Sequence, residues 1–202
     1  MTKTNLIFDL DGTLWDAAPA VADGWNRKLK RNPPLSGEDV RRVAGLPMDV
    51  IFEMLEVEPD QALIRELIDS EHQAIEEQGA TLFPGIRDTI KQLAGCHDLY
   101  IVSNCQQGYI ELFLRRMDMA EHFIDHLCWG DTLAPKEVTI ERLMKRHGLR
   151  EAVYIGDTRG DQLAAEAAGI PFIFVTYGFG EAKEPVTKID DITQLLEVYP
   201  CP

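Results

Sequence analysis

Five short and nearly continuous apolar runs punctuate this chain, at Leu6–Leu10, Leu99–Ser103, Phe123–Leu127, Ala152–Gly156 and Pro171–Val175. Runs without polar alternation read as strands buried on both faces, the setting of a parallel sheet. Helical apolar spacing lies between them. It appears at Ile86, Ile90 and Leu93; at Ile110, Phe113, Leu114 and Met117; and at Ile140, Leu143 and Met144. A fourth pattern, at Leu163, Ala164, Ala167 and Ala168, is stopped by Gly169 and Pro171. Strand–helix alternation with right-handed crossovers predicts a doubly wound, Rossmann-like α/β sheet. A chain of 202 residues has room for one such core and a small insertion.

The alternation breaks between about Ala17 and Thr81, where only helical patterns occur. Val21, Trp25 and Leu29 mark one helix. Ser36 can cap a second, with Val40 and Val43 on its inner face. Pro47 opens a third, with Val50, Ile51, Met54 and Leu55 inward, and Ile64, Leu67, Ile68 and Ile75 mark a long fourth. The expected organisation is a core of 1–16 and 82–202 with a helical cap domain of 17–81. Pro19 and Pro84-Gly85 read as hinge punctuation. An insertion at the carboxyl edge of such a sheet overhangs the ligand crevice, so a lid is expected, and a packed subdomain without a role in chemistry is the plain alternative.

Polar residues gather at the strand ends. The first strand stops at Asp9 and Asp11, the second at Ser103-Asn104, and the fourth at Asp157, Thr158 and Asp161; Lys136 opens the helix before the fourth. In a parallel sheet these ends share one edge, where α/β proteins bind ligands. At about 5 Å and an effective dielectric near 20, each pair of carboxylates repels by about 3 kcal/mol. A divalent hard cation relieves that repulsion, and oxygen donors without histidine or cysteine point to Mg²⁺.

Asp9-Leu10-Asp11-Gly12-Thr13, Ser103-Asn104, Lys136 and Gly156-Asp157 with Asp161 occur in that order. This set resembles the four motifs of the haloacid dehalogenase superfamily, in its phosphatase branch. The helical insertion resembles that family's C1 cap, and "VTYGFG" at 175–180 is similar to its phosphoglycolate-phosphatase-like members. The resemblance implies a nucleophilic Asp9 that forms an aspartyl-phosphate, and an Asp11 that protonates the leaving oxygen and then activates water. It implies Mg²⁺ held by Asp9, the main-chain carbonyl of Asp11, and Asp157, with Asp161 ligating directly or supporting from behind. Ser103 would bind a phosphoryl oxygen and Lys136 would neutralise charge, with Asn104 beside the substrate. Thr13 and Asp16 read as loop-ordering residues. Lys136 lacks the proline that often follows this family's lysine, so Lys145 and Lys91 stand as alternatives.

The second acid, Asp11, favours phosphoryl transfer over 2-haloacid dehalogenation. A sugar-phosphate mutase shares both aspartates and stays open, while a non-catalytic binding module would be marked by a lost acid, and none is lost. Arg42, beside Arg41 on the side of the capped helix opposite Val40 and Val43, is similar to a cap-loop arginine of the phosphoglycolate-phosphatase-like enzymes. It reads either as a substrate-binding guanidinium or as part of a solvated face.

A net charge of −14 argues against a nucleic-acid partner, and the resemblance implies a small phosphorylated molecule as the substrate. No segment has the apolar length of a membrane span, and "MTKTNLIF" has no signal-peptide layout, so a cytoplasmic monomer is expected. Cys96, Cys105, Cys128 and Cys201 form no CxxC pair and are expected to be free thiols.

Overall fold

The structure is a computed structural model, and it describes residues 3–46, 48–55, 57 and 61–201. The chain runs through β1 (Asn5–Phe8), β2 (Trp15–Asp16), α1 (Ala18–Leu29), α2 (Gly37–Val43), α3 (Met48–Met54) and α4 (Gln61–Gln78). It returns through β3 (Thr81–Leu82) and α5 (Ile86–Ala94) to β4 (Asp98–Ser103), α6 (Tyr109–Arg116), β5 (Asp125–Cys128), α7 (Trp129–Thr132) and α8 (Lys136–His147). It ends with β6 (Val153–Gly156), α9 (Arg159–Ala167), β7 (Phe172–Val175), β8 (Thr187–Ile189) and α10 (Leu195–Val198).

The main sheet has the order β5-β4-β1-β6-β7-β8, and all its pairings are parallel. All five expected strands are present, each within two residues of its expected ends. Alternate residues feed two cores, as a sheet covered on both faces requires. Leu6, Phe8, Leu99, Ile101 and Ile155 pack with α5 and α6 through Ile86, Ile90, Ile110 and Phe113. Ile7, Tyr100, Val102, Leu127 and Tyr154 pack with α8 and α9 through Ile140, Leu143, Ala164 and Ala165. Each such side chain contributes about 1.5–3 kcal/mol on full burial. Chain order reverses at β1, which lies between β4 and β6. The crevice at its carboxyl end is therefore the topological switch point where ligands bind in open α/β sheets.

The helical insertion spans α1 to α4. Chain enters and leaves it through β2 and β3, which pair antiparallel, Trp15 with Leu82 and Asp16 with Thr81. This two-stranded ribbon, not a pair of prolines, marks the crossing, and Pro19 sits in the first turn of α1. Ser36 caps α2 as expected: its Oγ accepts from Asp39 N at 3.2 Å, and Asp39 Oδ2 accepts from Ser36 N at 2.9 Å. Val40 and Val43 are buried beneath it. The helix opening assigned to Pro47 lies outside the described residues. In α3 the inward set differs, because Met54 is exposed and Phe52 is buried.

Two further expectations need correction. Leu163 is exposed, and the buried face of α9 carries Asp161 and Gln162 with Ala164 and Ala165. Hydrogen bonding outweighs hydropathy here: Gln162 exchanges two bonds with the Lys183 backbone, and Asp161 turns inward to a buried lysine. Cys96 and Cys201 are also not free thiols. They are joined in a disulfide with a Cα–Cα separation of 5.7 Å. The tail folds back onto the α5–β4 turn, where Tyr199 O lies 3.2 Å from His97 Nε2, a contact across 102 residues that local spacing cannot reveal. Cys105 and Cys128 remain free.

Candidate active site

The ladder of β1 runs one residue past the strand, with Asp9 N donating to Ile155 O at 2.8 Å. The chain then wraps tightly around Leu10 O, which accepts from Thr13, Leu14 and Trp15 N. This wrap needs Gly12 at φ +82°, and a Cβ there would stand 2.1 Å from Asp157 Oδ2. Gly12→Ala is therefore expected to cost about 1–2 kcal/mol from backbone strain alone and to displace Asp157, which a melting curve with and without added Mg²⁺ would detect.

Lys136 opens α8 after Pro135 and is only 5% exposed. Its Nζ donates to Asp9 Oδ1 at 2.9 Å and to Asp161 Oδ1 at 2.5 Å. Proline before the lysine, instead of after it, brings the ammonium to Asp9. Lys91 and Lys145 are exposed. Asp161 is otherwise engaged with the cap of α9, where its Oδ2 accepts from Thr158 Oγ1 at 2.6 Å and Thr158 N at 3.0 Å. Asp157 accepts from Phe179 N at 2.7 Å and from Thr13 Oγ1 at 3.3 Å. The "YGFG" segment thus holds Asp157 from above. Thr13 orders this loop as expected, and Asp16 accepts from Ala18 N at 3.0 Å and from Arg41 Nη2 at 2.6 Å.

Asp9, Asp157 and Asp161 are all fully buried, with carboxylate oxygens within 4.8 Å of one another. One lysine faces three acids, so two negative charges stay uncompensated. Burial pushes the Asp9 carboxyl well above the usual range, with Lys136 pulling it back and Asp161 and Asp157 pushing further. Asp157 is pushed up to about 7 by burial and by Asp161. Burial opposes the charge on Lys136, yet Asp161 and Asp9 hold it protonated well above the ordinary lysine range. All-oxygen donors with surplus negative charge in a closed site suit a hard divalent cation.

Asp11 is half-buried, and its Oδ1 accepts two bonds, from Trp15 Nε1 at 2.9 Å and Tyr109 Oη at 2.9 Å. Burial moves its carboxyl up to about 6 against those two donors. Its Oδ2 keeps no protein donor among the described residues. A carboxyl near neutrality with one unengaged oxygen can give and take a proton.

Asp9, Asp11, Ser103 and Asn104 line one cavity of about 80 Å³ between the sheet edge and the insertion. Asn104 Nδ2 donates to Gly45 O at 2.8 Å, tying the core loop to the insertion just past α2. The structure brings together Asp9, Asp11, Ser103, Asn104, Lys136, Asp157 and Asp161. It does not bring Arg42: that side chain is 66% exposed, pairs with Glu38 and Asp39, and does not line the cavity. On so short a helix, burying Val40 and Val43 leaves Arg42 to solvent, whereas Arg41 turns back to Asp16 and lies 5.8 Å from the Phe179 ring. Sequence reading missed Trp15 and Tyr109, the donors to Asp11, and Glu71, a buried acid in the cavity wall. Only the four-residue spacing of Asp11 and Trp15 carried a local signal.

A hydrolase family model matches most of this chain. Residues 6–175 match the haloacid dehalogenase-like hydrolase family, and the chain belongs to it. Within that family it stands in the phosphoglycolate-phosphatase-like branch and is a phosphatase. It is 31% identical to the phosphoglycolate phosphatase of Vibrio vulnificus strain CMCP6 over 96% of this chain and 94% of that one. It is 34% identical to the phosphoglycolate phosphatase of Yersinia pseudotuberculosis over 91% and 85% of the two chains. Its fold matches a haloacid dehalogenase-like family hydrolase from Streptococcus pneumoniae with a TM-score of 0.80, at 24% identity, over 98% of each chain.

Proposed function

We propose that this phosphatase hydrolyses a small phosphomonoester through an aspartyl-phosphate on Asp9, with Mg²⁺ as cofactor. The observation that carries the reading is the buried Asp9, held by Lys136 at Oδ1, with Asp11 two residues on at the floor of the same cavity. Asp9 attacks phosphorus with the oxygen that Lys136 does not hold. As the phosphorus–oxygen bond to the leaving group breaks, Asp11 gives that oxygen its proton. Asp11 then takes a proton from water, which attacks the phosphorus of the aspartyl-phosphate and releases phosphate and free Asp9. The net change is ester plus water to alcohol plus phosphate. Ser103 and Asn104 bind the phosphoryl oxygens, and Lys136 offsets the charge that gathers on them.

Asp9, the Asp11 carbonyl and Asp157 would hold Mg²⁺, which supplies positive charge to the phosphoryl group. Both oxygens of Asp161 are taken, by Lys136 and by Thr158, which favours a supporting role for it. Residues 17–81 act as the cap over a core of 1–16 and 82–202, and the Asn104–Gly45 bond supports closure of one on the other. Among the described residues no helix is long and apolar enough to cross a membrane. Phosphoglycolate, the substrate in the relatives' name, heads the panel of substrates to try.

The test is release of inorganic phosphate from p-nitrophenyl phosphate with Mg²⁺. Release that saturates with ester is the expected result. Phosphoryl transfer to a sugar phosphate without phosphate release would make the protein a mutase instead.

A further inference from the structure

The wall of the cavity away from Asp9 belongs to the insertion. It is apolar, through side chains such as Val21, Val43 and Ile51, with one exception, Glu71 of α4. Glu71 is 4% exposed. Its Oε2 accepts from Trp25 Nε1 at 2.7 Å. Its Oε1 has no donor within bonding distance among the described residues; His72 Nε2 lies 4.0 Å away, and burial keeps that ring below the usual histidine range. Burial also pushes the Glu71 carboxyl up to about 8, against the pull of the Trp25 bond. This acid is held in place deliberately. Gly24 of α1 lets the helices close so tightly that a Cβ there would stand 2.6 Å from Ser70 O and 2.7 Å from Glu71 Cα. Ser70 Oγ seals the approach by donating to Gly24 O at 2.7 Å.

No lysine, arginine or histidine lines this cavity among the described residues. Arg41, whose guanidinium lies 5.8 Å from the Phe179 ring of the cavity wall, is spent on Asp16 with two bonds, at 2.6 and 3.1 Å. A carboxylate on the leaving group would enter this apolar wall with no cation to offset it, which disfavours binding. An ammonium would instead draw the proton from Glu71 and pair with the carboxylate, and a hydroxyl would hydrogen-bond to the open Oε1.

We infer that Glu71, set by Trp25 in an apolar wall, selects phosphomonoesters whose small leaving group ends in a hydrogen-bond donor, an amine or a hydroxyl, and disfavours those ending in a carboxylate. This rests on the phosphatase reading above and sets this protein apart from its phosphoglycolate-cleaving relatives.

Two-carbon esters of equal length test it: phosphoethanolamine, 2-hydroxyethyl phosphate and 2-phosphoglycolate, with p-nitrophenyl phosphate as control and Mg²⁺ present. The expected result is a kcat/KM for the first two at least about tenfold above that for phosphoglycolate, the discrimination one charge-assisted bond supplies. In Glu71→Gln the amide oxygen still accepts from Trp25, but the side chain can no longer ionise to pair with an ammonium. The ratio of phosphoethanolamine to phosphoglycolate should then fall about tenfold or more. Phosphoglycolate as the best wild-type substrate, or a Glu71→Gln variant that slows every ester alike, overturns the inference while leaving the phosphatase reading intact. Failure to cleave even p-nitrophenyl phosphate overturns both.

Discussion

Asp9→Asn is expected to reduce turnover by roughly 10⁴-fold or more, the scale on which loss of a nucleophile acts. An amide cannot attack phosphorus, and no neighbour can replace Asp9. Asp157 is held by Phe179 N and Thr13 and Asp161 by Lys136 and Thr158, and Asp11 carries the proton that the leaving oxygen needs. The fold should survive, because an asparagine oxygen can still accept from Lys136 and one of three crowded negative charges is removed. The check is a pair of measurements, phosphate release and a melting curve. Most of the activity remaining, with an unchanged melt, would remove Asp9 from its role.

Chelation is expected to have an effect of the same order. In excess EDTA phosphate release should fall to background, and Mg²⁺ should restore it. Ca²⁺ should bind without restoring it, since its oxygen distances of about 2.3–2.6 Å exceed the roughly 2.0–2.1 Å of Mg²⁺ and shift the attacking carboxylate. A second readout needs no catalysis. Three buried acids with one lysine are under repulsion, so Mg²⁺ at about 100 times its Kd should add roughly 2.7 kcal/mol of stability. Asp157→Asn should blunt that shift. Full activity in excess chelator would end the magnesium reading.

Strands buried on both faces gave the sequence its strongest signal, because nothing but apolar runs suits them, and β1, β4, β6 and β7 appear where those runs lie. β8 did not announce itself: an edge strand of Thr187–Ile189 buries only Ile189. The acids and Lys136 were legible because a parallel sheet brings strand ends together whatever the loops do. What surrounds them was not. Tyr109 reaches Asp11 across 98 residues and Trp25 reaches Glu71 across 46, and such contacts follow from how helices dock, not from local spacing. Arg42 illustrates the limit. Helical period set it outside Val40 and Val43, but whether that outside faced a ligand or solvent depended on where α2 lay over Phe179 and Asp16.

The ribbon of β2 and β3 has a mechanical consequence. Trp15 belongs to it and also donates to Asp11. A swing of the helices about this narrow strap would carry the indole with it and change the grip on the acid. Opening the crevice and readying the proton donor would then be geared to one another, so that the acid is fully dressed only when the door is shut and bulk water has least chance to intrude.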